Sequence, residues 1–235
     1  MCGRFIQCSD PQDYADYFGL ELEPESMGPS RPRYNLAPSQ GVLAVRLGPD
    51  GRRHLGHLRW GLVPAWSQGP DHRYTMINAR AESVADRPAY RAALKERRCL
   101  IPAEGFYEWQ AQPGGKQPYL IRRGGGQIFA MAGLWEHWAG TAEAAPISSC
   151  TIIVTAANAA IARVHDRMPV VLDPDRQAQW LDPAKRDSAA LLALLQPDPS
   201  ADWTLTPVSR RVNNARTDDP GLIEPAAGPS AAMID

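Results

Sequence analysis

The chain has 235 residues, 44% of them hydrophobic, with 25 Lys and Arg against 26 Asp and Glu for a net charge of −1. This is enough apolar content for one good core, while the balanced charge gives no global signature of a nucleic-acid binder. No apolar run approaches the roughly 18 residues of a membrane span, and four cysteines without a CxxC spacing argue against a zinc site or disulfide framework and for a reduced, cytosolic setting.

The chain opens Met1-Cys2-Gly3-Arg4-Phe5. Removal of the initiator methionine leaves Cys2 with two nucleophiles, a thiol of reference pKa about 8.5 and an α-amine of about 8. Such an aminothiol takes an aldehyde first as an imine and then as a five-membered thiazolidine. An internal cysteine cannot do so, because its nitrogen is an amide. The plain alternative is a chance cysteine at position 2.

Asp10 to Phe18 begins with an Asp-Pro pair suited to a helix N-terminus and predicts a short helix. Arg33-Tyr34-Asn35-Leu36-Ala37-Pro38 reads as a turn packed on the core, as does Trp60-Gly61-Leu62-Val63-Pro64-Ala65-Trp66. Between them, Gly41 to Leu47, a Gly48-Pro49-Asp50-Gly51 turn, and Arg53 to Val63 predict a hairpin. Thirteen basic residues lie between Arg31 and Arg98, so a local basic face is one reading and an ordinary solvated surface the other.

Further strands are predicted at Thr75 to Arg80, Arg98 to Pro102, Gly105 to Gln110, Pro118 to Arg123, Ile128 to Trp138, Cys150 to Thr155, Pro169 to Leu172 and Thr204 to Val208. Helices fit Ala89 to Arg97, Ala156 to Val164, Pro174 to Leu181 and Ser188 to Leu195. Short strands joined by turns favour a mainly antiparallel α+β domain over a doubly wound fold. The Ala/Pro/Gly-rich segment from Pro225 to Asp235 reads as a disordered tail, leaving residues 2–224 as the domain.

Three segments place polar groups where chemistry could use them. In Met76-Ile77-Asn78-Ala79-Arg80-Ala81-Glu82 a period of two puts Asn78, Arg80 and Glu82 on one face. That face either points to water or turns Asn78 inward to a specific hydrogen bond. In Glu104-Gly105-Phe106-Tyr107-Glu108-Trp109 alternation sets Glu108 beside Phe106, with Tyr107 and Trp109 opposite. A carboxyl among apolar groups has its charged form disfavoured, which raises its pKa toward general acid/base values; an edge-strand Glu facing water is the other reading. His165-Asp166-Arg167-Met168-Pro169 sets one histidine at a helix-to-strand junction.

Cys2-Gly3-Arg4-Phe5, Tyr34-Asn35-Leu36-Ala37-Pro38, Trp60-Gly61-Leu62, Ile77-Asn78-Ala79-Arg80-Ala81-Glu82, Phe106-Tyr107-Glu108-Trp109 and His165-Asp166-Arg167-Met168-Pro169, in this order, resemble the SRAP family, the SOS-response-associated peptidase proteins now understood as abasic-site processing proteins. The resemblance runs from Cys2 to about Asn214. It implies a single α+β domain of mainly antiparallel strands in a curved, barrel-like core with peripheral helices. It further implies a DNA-repair protein that captures abasic sites in single-stranded DNA as a covalent DNA–protein crosslink, through the aldehyde of the ring-opened sugar.

Carried over by motif position, Cys2 is the nucleophile, Glu108 the acid/base group, His165 the aid to sugar ring opening, and Asn78 the side chain that holds the sugar or the Cys2 amine in line. Glu104 precedes the motif and is assigned no role. Arg4 and Arg80 match positions near phosphates, with Arg87 and Arg167 as additions, while Asn35, Pro38 and Trp66 resemble the lining for splayed nucleotides. The implied protein is a monomer without metal or cofactor, cytoplasmic and nucleoid-associated when bound to DNA.

Three rival readings use the same residues. One is an N-terminal-nucleophile amidohydrolase, since glutamine-hydrolysing enzymes also begin Met-Cys-Gly. A second is a cysteine peptidase with a Cys2–His165 dyad that cleaves its own Met1. The third is a non-catalytic DNA-binding module.

Overall fold

The structure, a computed structural model, describes residues 2–22, 31–71 and 75–226. Met1 and residues 227–235 therefore lie outside the described residues, and with them most of the expected tail. Pro225 bridges to Val208, and the Ala226 N–H donates to the Pro207 carbonyl.

The first strands, β1 (Arg4–Gln7) and β2 (Arg33–Leu36), flank α1 (Pro11–Phe18). Asp10 caps α1 by accepting from the Gln12 N–H, Asp13 closes the capping box, and Gly19 ends the helix at φ 63°, as the Asp-Pro start predicted. β3 (Gly41–Leu47) and β4 (Arg53–Trp60) form the predicted hairpin, paired from Gly41 opposite Arg59 to Leu47 opposite Arg53. Next come β5 (Asn78–Arg80), α2 (Arg91–Glu96), β6 (Arg98–Ala103), β7 (Gly105–Gln112), β8 (Gly115–Arg123), β9 (Phe129–Trp138) and β10 (Ile147–Ala156). The chain ends with β11 (Arg167–Pro169), β12 (Val171–Leu172), α3 (Pro174–Leu181), α4 (Ser188–Ala193) and β13 (Trp203–Pro207).

Two sheets result. One is antiparallel, in the order β13-β8-β7-β1-β2. In the other, β10 pairs with both β4 and β9, so that β10-β4-β3-β6-β9 closes on itself as a barrel, with β5, β11 and β12 attached. This is the curved α+β core expected from the resemblance. Alternation along the barrel strands divides the core in two. Val42, Ala44, Cys99, Ile101, Met131, Cys150 and Ile152 pack with Phe5, Phe106 and Trp203 of the first sheet. Leu43, Val45, Leu100, Ala132 and Ile153 pack instead against the helices through Tyr14, Leu94, Trp180 and Leu191.

Gly133 on β9 marks how tightly the barrel closes. A Cβ there would stand 2.9 Å from Cys99 Sγ and 3.0 Å from the Thr151 carbonyl oxygen. Backbone of the neighbouring strand cannot move aside cheaply, so Gly133→Ala is expected to lower stability by about 2 kcal/mol or more in urea denaturation. An unchanged midpoint would show that the barrel has slack at this point.

Four expectations are corrected. Arg4–Gln7 carried no predicted element and Arg33–Leu36 read as a turn, yet they pair as strands, because each finds its partner far away in sequence. The helix predicted over Ala156 to Val164 is only a 3₁₀ turn at Ile161–Arg163. There Ala156 is claimed by pairing with Arg167, and the Asn158 side chain caps the turn at the Ile161 N–H, which overrides the alanine-rich helix propensity. The strand predicted at Thr75 to Arg80 shortens to Asn78–Arg80, residues 72–74 lying outside the described residues. The strand predicted at Pro169 to Leu172 divides, because Val170 donates to Ile153 of β10 and accepts from Ala132 of β9, carrying the chain from one partner to the other.

Candidate active site

β1 lies between β2 and β7, with Arg4 opposite Tyr107 and Phe5 opposite Phe106. In this antiparallel register the residues preceding β1 run alongside Glu108. Cys2 is fully buried among the barrel-facing residues. Its carbonyl accepts from Asn78 Nδ2 at 2.8 Å, the inward hydrogen bond that was one of the two readings of this asparagine. The other amide atom, Asn78 Oδ1, is buried with no hydrogen-bond partner among the described residues, which leaves an acceptor available at the site. β5 holds Asn78 here through parallel pairing with Ile152, while Arg80, two residues on, is exposed on the same face.

Glu108 is 2% exposed, and burial raises its carboxyl to about 7, with the Asp166 carboxylate acting in the same direction. His165 Nε2 stands 3.9 Å from Glu108 Oε2. The Arg167 N–H donates to His165 Nδ1 at 3.0 Å. A backbone N–H can only donate, so in the neutral ring the proton sits on Nε2, facing Glu108. Asp166 Oδ1, 2.9 Å from Nδ1, is placed to favour a protonated ring, but burial dominates and lowers the His165 pKa. Burial, and after it the Glu108 charge, raises the Cys2 thiol, so the sulfur is held as S–H rather than as thiolate.

Cys2, Asn78, Glu108 and His165, drawn from four separate segments, thus stand together. Glu108 and His165 line a cleft of about 410 Å³ together with Trp109, Lys116 and Asn213. Asn213 Oδ1 accepts from the Trp109 indole N–H at 2.8 Å, which fixes that wall. Sequence reasoning gave no role to Trp109, Lys116 or Asn213. Asn213 reaches the cleft only by the return of the chain after β13, and nothing in its local pattern signals that. Glu104 stands apart from the cleft. Its buried carboxylate accepts from the Cys8 N–H at 3.0 Å, the Ser9 N–H at 3.4 Å and the Tyr14 hydroxyl.

The expected DNA-binding residues divide into two kinds. Trp66 is 70% exposed, and Arg80 and Arg87 are exposed cations. Pro38 is half-buried beside Ser39, which holds a left-handed φ of 73°. Arg167 is paired with Glu82 at 2.5 Å. Asn35, by contrast, is fully buried, and its Nδ2 donates to the carbonyls of Val212, Asn214 and Thr217. A side chain so enclosed braces the site and does not line a groove, which corrects the surface role expected of it. Arg4 shares in the brace, donating to the Val212 carbonyl at 2.8 Å and to Asn35 Oδ1 at 3.3 Å.

Among the described residues no cluster of three or more His, Cys, Asp or Glu could hold a metal ion, and no helix is long and apolar enough to cross a membrane. The family model described as "SOS response associated peptidase (SRAP)" matches residues 1–215. The chain is 41% identical to the abasic site processing protein YoqW of Bacillus subtilis over 95% of this chain and 99% of that one. It is 31% identical to the abasic site processing protein YedK of Escherichia coli over 96% of this chain and all of that one. A crystal structure of a protein from Bacteroides thetaiotaomicron shares the fold, with a TM-score of 0.83 at 21% identity over 96% of this chain and 100% of that one. With a family model spanning nearly all of its length and these motifs in register, the chain belongs to the SRAP family.

Proposed function

We propose that this protein processes abasic sites in DNA, capturing the ring-opened sugar in single-stranded DNA as a thiazolidine on Cys2 once Met1 has been removed. The names of its relatives support abasic-site processing. The observation that supports the chemistry is that Asn78 holds the Cys2 carbonyl while Glu108 and His165, 3.9 Å apart, line the adjoining cleft.

The Cys2 amine adds to the sugar C1′ aldehyde and water leaves, giving an imine; the thiol then adds across the C=N bond, its proton passing to the nitrogen. A carboxyl near neutrality suits both steps, giving a proton to the departing hydroxyl and taking one from the thiol. His165 Nε2–H faces Glu108 and is placed to serve the sugar oxygen during ring opening. Asn78 fixes the Cys2 backbone, so the nucleophile is oriented before the aldehyde arrives. Exposed Trp66, Arg80 and Arg87 supply stacking and phosphate contacts indifferent to sequence. One strand needs one such site, so the protein acts as a monomer, in the cytoplasm and at the nucleoid.

The protonated Cys2 thiol weighs against a cysteine peptidase, whose nucleophile is a thiolate, whereas amine-first capture does not require one. The test is denaturing gel electrophoresis of the Met1-free protein with single-stranded DNA carrying one abasic site. A shifted band that survives denaturation and is absent with Cys2→Ala and with intact DNA is expected. Absence of that band, with an N-terminal cysteine confirmed by mass spectrometry, would overturn the reading.

A further inference from the structure

We propose that Lys116 is a phosphate-binding residue of this site, a cationic contact for the DNA backbone immediately beside the captured sugar; the proposal rests on the reading above and deepens it. Lys116 stands on β8 opposite Ala111 of β7, in the hairpin whose other strand carries Glu108. It is exposed, it lines the same cleft as Glu108 and His165, and it is the sole Lys or Arg among the residues lining it.

The cleft needs such a group. Glu108 lines it and the exposed Asp166 carboxylate stands 2.9 Å from His165 Nδ1, so a cation here offsets the repulsion these acids exert on an approaching phosphodiester. The arginines nearest by sequence motif are engaged elsewhere: Arg4 on the Val212 carbonyl and Asn35, and Arg167 on Glu82. Lys116 makes no salt bridge or side-chain hydrogen bond among the described residues, so its ammonium is available to a ligand. Its charge already reaches the site, acting to lower the Glu108 pKa against burial and the His165 pKa together with burial. A flexible stem with three donors suits a phosphate whose position shifts as the sugar ring opens.

The experiment measures adduct formation against concentration of a single-stranded oligonucleotide with one abasic site, for wild type, Lys116→Gln and Lys116→Arg. Lys116→Gln is expected to raise the concentration for half-maximal capture by about fivefold, to leave the maximal rate within about twofold, and to reduce the salt slope by about 0.7, while Lys116→Arg stays near wild type. Oligonucleotides with a neutral methylphosphonate at one or the other phosphate flanking the abasic sugar test the contact without altering the protein. At one of the two positions, wild type should lose the same fivefold and Lys116→Gln should lose nothing more. Unchanged half-saturation in Lys116→Gln, or equal methylphosphonate losses in both proteins, would overturn the proposal. So would a fall in maximal rate alone, which would mean that the lysine acts through Glu108. Failure of wild type to form any adduct would instead sink the underlying reading.

Discussion

Glu108→Gln is expected to slow covalent capture of abasic DNA by a factor of about 100 or more at pH 7, and at the same time to make the protein more stable at alkaline pH. The two effects share one cause. Burial raises the Glu108 carboxyl from 4.5 to about 7, so near neutrality it can both give and take a proton, which the neutral amide cannot do. The capture rate of wild type should therefore vary with pH around 7, and that dependence should be missing from the variant.

For stability the sign follows from the same shift. A group whose folded pKa lies above its unfolded value binds its proton more tightly in the folded state. Its contribution is fully present below about 4.5 and is lost as pH rises through about 7. Above that range the buried carboxylate costs on the order of 1 to 3 kcal/mol. Glutamine carries no charge to bury, so Glu108→Gln should melt higher than wild type at pH 8, with the gap narrowing toward pH 5. Calorimetry at the two pH values and a time course of adduct formation provide the check. An equal gap at both pH values would mean that Glu108 is not held as a buried charge, and a capture rate within about threefold of wild type would remove it from the proton relay.

Glu104→Ala is expected to do the reverse: a loss of about 3 kcal/mol in stability, with adduct formation by the folded protein little changed. Its carboxylate accepts from two backbone N–H groups and the Tyr14 hydroxyl, and so ties the end of β1 to α1. Truncation leaves the part-buried Cys8 N–H and the buried Tyr14 hydroxyl without this acceptor, while the Ser9 N–H keeps the Tyr14 hydroxyl oxygen at 3.3 Å; an unmet donor costs more than the net worth of the bond when made. A two-state urea titration gives the stability, and the adduct assay below the midpoint gives the activity. A shift under about 0.5 kcal/mol would show that water replaces the carboxylate at no cost. The contrast with Glu108, four residues along the same chain, separates a brace from a reacting group.

That contrast was visible in the sequence only through motif position, since both glutamates sit in apolar surroundings. Local chemistry alone identified α1, through Asp10 and Pro11, and the β3–β4 hairpin, through its turn, because caps and turns act over a few residues. Alternation foretold that Phe106 and Tyr107 would enter different parts of the core, and they do. It could not reveal β1 and β2, four residues each, whose strand character comes from partners that the chain reaches only on folding. Nor could it foresee that Asn35 would spend its amide on three carbonyls between Val212 and Thr217, more than 170 residues away.

By itself the sequence determined the family and the α+β class, and it singled out the four residues proposed for the site, because residue types in fixed register persist whatever the surrounding packing. Only the tertiary structure decided that Asn78 holds Cys2, that Glu108 is sealed deeply enough to bring its pKa near neutrality, and that Lys116 and Asn213 share its cleft. Those are facts of burial and distance between segments remote along the chain. They arise from closure of the barrel and the return of the chain over β7, and no local pattern encodes them.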